Sequence, residues 1–248
     1  MQIDEKNEQQ AAKRLGKMFQ TQFGKGPESI YVMITPPFVT IHLQGFLAPM
    51  EEVLLHQDKQ LQLEQLREQM MIKVLPVIQQ IVEEETDETV LDMYYDWNFR
   101  KNKKCTGMVW IALDVSPKQL DTFSWPKELN QNMFRREIIA LSKKVQKEPE
   151  ETNLFWLSPR LILVERIGIF VEIENALIEQ NYGETLKIVK RPLEKNLFAK
   201  HVLESLLQQK IHETFVDWHF QKDKGYLLIG LENPKEHRKK REGKPKMD

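Results

Sequence analysis

Two short segments, Tyr94-Tyr95-Asp96-Trp97-Asn98-Phe99 and Phe215-Val216-Asp217-Trp218-His219-Phe220, hold the residue types best suited to chemistry. Read as strands, they place Asp96 and Asn98 on one face and Tyr95, Trp97 and Phe99 on the other; Asp217 and His219 likewise oppose Val216, Trp218 and Phe220. An Asp and a His two positions apart on a strand can bind a metal or orient a proton. A metal site needs three or more ligands, and each segment offers fewer. No metal, no cofactor and no catalytic residue is therefore expected. Asp96, Asn98, Asp217 and His219 are candidates for lining a cleft or an interface, with the aromatics packed on the opposite face.

Other chemistry-bearing groups give weaker signals. Phe23-Gly24-Lys25-Gly26-Pro27 has the glycines of a phosphate loop, but no Lys-Ser/Thr follows and it leads into a strand rather than a helix, so a turn is expected. Cys105, the only cysteine, follows Lys103 and Lys104, which would lower its thiol pKa if it were exposed. It excludes an internal disulfide and a cysteine-cluster metal site, and it fits a reducing compartment. His42 and His56 lack local partners, and no Ser, His and Asp spacing matches a triad.

The elements that position these residues follow from periodicity. Ala12, Leu15, Phe19 and Phe23 step as one helix face from about Asn7 to Phe23. Ile30 to Thr35 and Phe38 to Gln44 read as antiparallel strands about Pro36-Pro37. From Val39 to Leu55 the hydrophobic period changes from two to nearly four. Gly45 marks the joint, and Pro49, Glu51 and Glu52 open a short helix. A long helix carries Leu63, Leu66, Met70, Val74, Val77 and Ile81, with Pro76 expected to kink or split it near Ile72 to Pro76. Val90 to Phe99 and Thr106 to Leu113 close the unit as a hairpin.

Adding 123 to residue numbers brings the second half into register: Gly45 falls on Gly168, Glu51 on Glu174, and Val53-Leu54-Leu55 on Ala176-Leu177-Ile178. The shift becomes 121 at Asp96-Trp97 and Asp217-Trp218, and 118 at Ile111 and Ile229, as shortened surface turns would produce. The expected fold is α+β: two tandem repeats, each a small antiparallel sheet in the order helix, two strands, helix, two strands, with helices on one face. The expected domains are 1–114 and 130–233, joined by a docked linker at 115–129 that contains Phe123 and Trp125, and followed by a basic tail at 234–248. Two such repeats can pack about a pseudo-twofold axis, as subunits of a dimer do.

Composition excludes some functions. With 36 Lys and Arg against 37 Asp and Glu, the chain is not a general polyanion binder, and no specific nucleic-acid partner is expected. No run approaches the ~18 apolar residues of a membrane span, and the polar N-terminus lacks a signal-peptide core, so a cytoplasmic protein is expected. The tail bears Arg238, Lys239, Lys240 and Arg241. Its composition predicts disorder, and it reads equally as a solvated solubility tail or as a segment attracted to an anionic membrane surface, which would make the protein peripheral to the inner face.

GKGPESIYVMI, then VTIHLQGFLAPMEEVLL, LEQLREQMM and VEEETDETVLDMYYDWNF, resembles the MpsC family, small bacterial proteins named for a sodium-translocating, membrane-potential-generating system. The family pattern has Gly-Pro before the first strand, a Gly-x-Leu-Thr-Pro-x-Glu joint, a helix containing an Arg, and an acidic hairpin. Gly26-Pro27, Gly45 to Glu51 and Arg67 match it, while the second half keeps only Gly168 and Glu174. Ala48 replaces the Thr that would cap the helix, and Val171 stands there in the second copy. A joint that erodes in this way is structural rather than catalytic, and Gly45, Pro49, Glu51, Gly168 and Glu174 are expected to shape the fold.

The resemblance implies a soluble accessory protein near a membrane ion-transport or bicarbonate-uptake system, and no active site. The leading expectation is a non-enzymatic protein that binds a protein partner such as a membrane transport subunit. The alternative is a small-ligand sensor or enzyme with a cleft between the repeats, using Asp96 and Asp217.

Overall fold

The computed structural model describes residues 5–100, 104–115, 125–198 and 201–232. The chain forms two compact units, Met1–Thr122 and Phe123–Asp248. The turn of the hairpin expected over 90–113, Phe123 of the linker and the basic tail lie outside the described residues.

In the first unit, α1 (Glu5–Phe23) precedes β1 (Ser29–Thr35) and β2 (Phe38–Gln44). Then come α2 (Pro49–His56), α3 (Gln60–Thr86), β3 (Val90–Arg100) and β4 (Lys104–Leu113). The four strands form an antiparallel sheet in the order β1-β2-β4-β3. Side chains alternating along β2 and β4, among them Val39, Ile41, Leu43, Val109 and Ile111, meet Leu15 and Phe19 of α1 and Leu63, Met71, Val74 and Ile78 of α3. Arg14 of α1 bonds Glu84 and Glu85 of α3, and Glu8 accepts from the Ile34 backbone at 2.8 Å, so α1 is tied to both α3 and β1.

The second unit repeats this order with α4 (Gln131–Ser142), β5 (Glu151–Ser158), β6 (Leu161–Ile167), α5 (Glu172–Glu179), α6 (Gly183–Phe198), α7 (His201–Leu207), β7 (Ile211–His219) and β8 (Lys224–Leu231). Its sheet runs β5-β6-β8-β7, the same topology. The α+β reading with two similar halves is what the structure shows. Trp125 packs on Phe134 and Trp156, with ring centroids 5.3 and 4.9 Å away, so this linker residue docks on the second unit.

α3 runs unbroken through Pro76, so the proline does not split it. Pro76 and Ile72, whose carbonyl loses its helical donor, both lie on the solvent side, where water can satisfy the freed carbonyl.

Gly45 and Gly168 turn the chain out of β2 and β6 with φ of +61° and +69°, a region that side chains enter at a cost. A Cβ at Gly45 would stand 2.3 Å from the Glu28 side chain, and one at Gly168 would stand 2.5 Å from Glu150. Both corners are thus held by backbone conformation, and a Cβ there would also have to push aside the exposed Glu28 or Glu150 side chain. Gly24, with φ of +72°, has nothing within 4 Å of its missing Cβ.

In the second unit Glu204 of α7 accepts hydrogen bonds from the Ile211 backbone at 3.0 Å, Lys210 Nζ at 2.5 Å and His201 Nδ1 at 3.0 Å, pinning α7 to the start of β7. Partial burial opposes its charge. The bonds from Lys210, His201 and Ile211 more than offset that and hold the carboxyl well below the ordinary range, at about 2.

Two predictions follow from these corners and this tether. Gly24→Ala should cost about 1–2 kcal/mol of conformational strain alone, and Gly45→Ala more than that. Adding Glu28→Ala should recover part of the Gly45→Ala loss in urea unfolding, and equal losses at the two glycines would count against the steric reading. A depressed folded-state pKa contributes stability above the unfolded value that disappears as pH falls through the folded one. Glu204→Gln should therefore melt below wild type at pH 7, and the gap should close between pH ~4.5 and ~2.

Candidate functional site

Arg67 lies inside the apolar stripe of α3 and is wholly buried. Its Nε and Nη2 donate to the two oxygens of Glu51 on α2, each at 2.8 Å, a bidentate pair. Nη2 also donates to the Phe46 carbonyl at 2.6 Å, and Nη1 lies 3.4 Å from Cys105 Sγ. Four rings surround the guanidinium carbon: Trp97 at 4.3 Å, Phe46 at 5.0 Å, Phe99 at 5.2 Å and Phe23 at 6.0 Å. Gly107, across the ladder from both Leu43 and Trp97, leaves room for the indole, which would come within 2.2 Å of a Cβ there. Burial works against the Arg67 charge, but Cys105 and Glu51 outweigh it and the pKa moves up. An aromatic cage of this kind can recognise a cation, and here the chain fills it with its own arginine.

Glu51 has a second task. Its Oε2 accepts from the Ala48 backbone N–H at 2.7 Å, the reciprocal half of a capping box. Ala48 has no side-chain acceptor, so the other half is missing. Arg67 thus orients the carboxylate that closes the start of α2.

The second unit keeps the arrangement with a different cation. Lys190, 123 residues after Arg67, pairs with Glu174 at 2.6 Å, and Glu174 accepts from the Val171 backbone at 3.1 Å. Lys190 Nζ lies 4.8 Å from the Phe170 ring and 5.5 Å from Trp218. A further buried pair stands beside it. Glu194 Oε2 meets Arg166 Nη2 at 2.6 Å, and Glu194 Oε1 accepts from Trp218 Nε1 at 3.3 Å.

The hairpin aspartates differ from each other. Asp96 and Asp217 are each 1 % exposed and each accepts from the next backbone N–H, at 2.7 and 2.9 Å. Lys187 of α6 pairs with Asp217 at 2.6 Å, and Arg191 lies 3.9 Å away. At the matching positions α3 carries Glu64 and Glu68, and Glu68 accepts from Tyr95 Oη at 2.6 Å. Equal strand motifs are thus accompanied by acidic residues at these helix positions in one unit and basic ones in the other. Asn98 and His219 are half-buried. The face that carries Asp96 is aromatic as well as polar, with Tyr94 stacked on Trp110 at 5.8 Å. Among the described residues no three His, Cys, Asp or Glu side chains converge as metal ligands would. Cys105 is buried against Arg67, so the condition for a thiol activated by Lys103 and Lys104, exposure, is not met. Arg238, Lys239, Lys240 and Arg241 lie outside the described residues.

On the outer surface one feature recurs. The solvent side of α3 presents Gln62, Gln65, Leu66, Gln69, Ile72 and Gln80, with Lys73 its only exposed cation before the last turns. On α6 the exposed residues are Thr185, Val189, Pro192, Leu193 and Asn196 after Glu184. Leu66 is 43 % exposed and its counterpart Val189 is 56 % exposed. Met50 at the start of α2 and Ile173 at the start of α5 match in the same way, at 77 % and 67 %. In a chain with 29 % charged residues, a solvent-facing helix side this poor in charge departs from the rest of the surface.

Residues 4–111 match the family model described as Na+-translocating membrane potential-generating system (MpsC). That match supports MpsC membership for the first unit. No curated protein and no solved structure matches the chain. The MpsC match spans α1 to β4 and takes in the whole Arg67 cage; the second unit lies outside it and resembles the first in element order and sheet topology. No helix among the described residues is long and apolar enough to cross a membrane.

The sequence reading named Glu51 and Arg67 separately and missed their bond. The available signal was a charged residue in a buried stripe, answered by a lysine at the same place in the repeat. Arg67→Met should cost about 3–5 kcal/mol, because it leaves Glu51 buried without a partner. Arg67→Lys should cost less, as Lys190 already serves in that position. Adding Glu51→Gln to Arg67→Met should restore part of the loss in chemical denaturation. An additive double variant would show that the two side chains act independently.

Proposed function

We propose that the protein is a non-enzymatic, partner-binding component of a bacterial membrane ion-transport system of the membrane-potential-generating kind. The family match over the first unit supports the setting. The observation that carries the binding role is the twice-present, charge-poor helix side that exposes Leu66 on α3 and Val189 on α6, with Met50 and Ile173 also exposed at equivalent positions of α2 and α5. Exposed apolar side chains at equivalent positions of two otherwise divergent units are what a docking surface for an apolar partner segment requires. The buried charges, by contrast, are committed to neighbours inside each unit.

The partner in this reading is a protein subunit of the transport system, and the tail adds attraction to the anionic inner membrane surface. Each of Arg238, Lys239, Lys240 and Arg241 contributes roughly 1 kcal/mol near such a surface.

Capture from native membranes, followed by mass spectrometry, should recover a transport subunit with the full chain and lose it with Leu66→Glu combined with Val189→Glu. Unchanged capture by that variant, with its circular dichroism intact, would remove these faces from the proposal. Deleting residues 234–248 should weaken partitioning onto vesicles rich in phosphatidylserine and remove its dependence on salt. Salt-insensitive binding that survives the deletion would refute the role of the tail.

A further inference from the structure

The two units differ most at one place in their cores. In the first, Phe19, Leu43 and Met71 are fully buried, with Phe23 and Ile30 packed in the same cluster. At the corresponding places the second unit has Ser142, Arg166 and Glu194, each 0 % exposed, and Gln146 for Phe23. Thr152 stands for Ile30, since Ile30 pairs with Leu43 across the first sheet as Thr152 pairs with Arg166 across the second. Five apolar side chains of one nest have become five polar ones. Changes of this kind made singly would each leave a buried polar group without a partner.

Part of the new polarity is satisfied internally. Arg166 donates to Glu194 at 2.6 Å and to Ser142 Oγ at 3.3 Å, and Lys190 lies 3.7 Å from Glu194 as well as pairing with Glu174. Two cations and two carboxylates leave the cluster neutral. Gln146 follows Ser142 by one turn, its backbone N–H bonded to the Ser142 carbonyl at 3.1 Å, and Thr152 flanks Arg166 on the same face of the sheet. Gly225, the other neighbour of Arg166 in the ladder, brings no side chain to the site.

Four solvent-shielded atoms remain without a hydrogen-bond partner among the described residues: Arg166 Nε, Gln146 Nε2, Gln146 Oε1 and Thr152 Oγ1. Gln146 itself is 7 % exposed. The set contains two donor nitrogens, one carbonyl acceptor and one hydroxyl that can do either. From this we infer that the second unit contains a binding site, absent from the first, for a small neutral molecule that both donates and accepts hydrogen bonds, held between Arg166, Gln146 and Thr152. Neutral surroundings disfavour an ion, and the mixed donor and acceptor set suits water or a small solute of the same chemistry.

A crystal structure of the full chain at a resolution that shows ordered water tests this, with matching structures of Gln146→Leu and Thr152→Val. Density is expected within about 3 Å of Arg166 Nε and of Gln146 or Thr152. A single-atom peak identifies water, and a larger one identifies a solute; either supports the site. At least one variant should lose or displace the density while the total tryptophan emission and the circular dichroism of the chain stay native-like. Thr152→Val keeps the test open if Gln146→Leu fails to fold. The inference is overturned if the wild type shows no density, with Gln146 turned to solvent or bonded directly to Arg166 Nε, or if the density is unchanged in both variants.

Discussion

A charged side chain taken out of water has to be answered, and the corner of each unit is organised around that requirement. Arg67 is fully buried, and Glu51, the Phe46 carbonyl, Cys105 and four aromatic rings are the answer. The elements supplying them are α1, the segment after β2, α2, β3 and β4, so one guanidinium fixes where five parts of the unit meet. Swapping such a pair for well-packed apolar residues is often neutral or stabilising, so a large net gain in stability is a poor account of it. Definition of geometry is the better one. The carboxylate must face the arginine, and a carboxylate so placed also closes the first turn of α2.

The second unit shows how far this arrangement can vary. Lysine replaces arginine, and a point charge replaces a planar fork, so the bidentate geometry is given up while the pairing survives. The cage thins to Phe170 and Trp218. Arg166 and Glu194 then bring a second buried pair into a region that is wholly apolar in the first unit. Two units of one topology have therefore settled on cores of different polarity, and only the one that falls within the MpsC match has the drier interior.

Much of the architecture was legible in the sequence because it rests on local rules. The change of period at Gly45, the Pro49 and Glu51 helix start and the strand alternation of β2 each involve neighbours along the chain. The internal repeat supplied the second unit by translation. What was not legible depends on three-dimensional surroundings. Pro76 reads as a break until its side of the helix is known to face water. Whether Cys105 is an exposed thiol or a buried one is undecided until its side of β4 is known to face Arg67. Asp96 and Asp217 read as equivalent because their strands match, whereas Asp217 meets Lys187 and Arg191 and the helix positions equivalent to those two carry Glu64 and Glu68 in the first unit. The Arg67–Glu51 bond joins side chains sixteen residues apart on different helices, beyond any windowed pattern.

That same spacing bears on how the chain reaches its fold. Sixteen residues make a short loop, closed on a timescale of tens to hundreds of nanoseconds, so α2 and α3 can find one another before any strand pairs across the sheet. Because Ala48 offers no cap of its own, α2 gains its N-terminal carboxylate in full only once α3 has turned far enough to present the guanidinium. The helical corner is thus suited to be an early folding nucleus with low contact order, onto which the more distant β2–β4 pairing condenses.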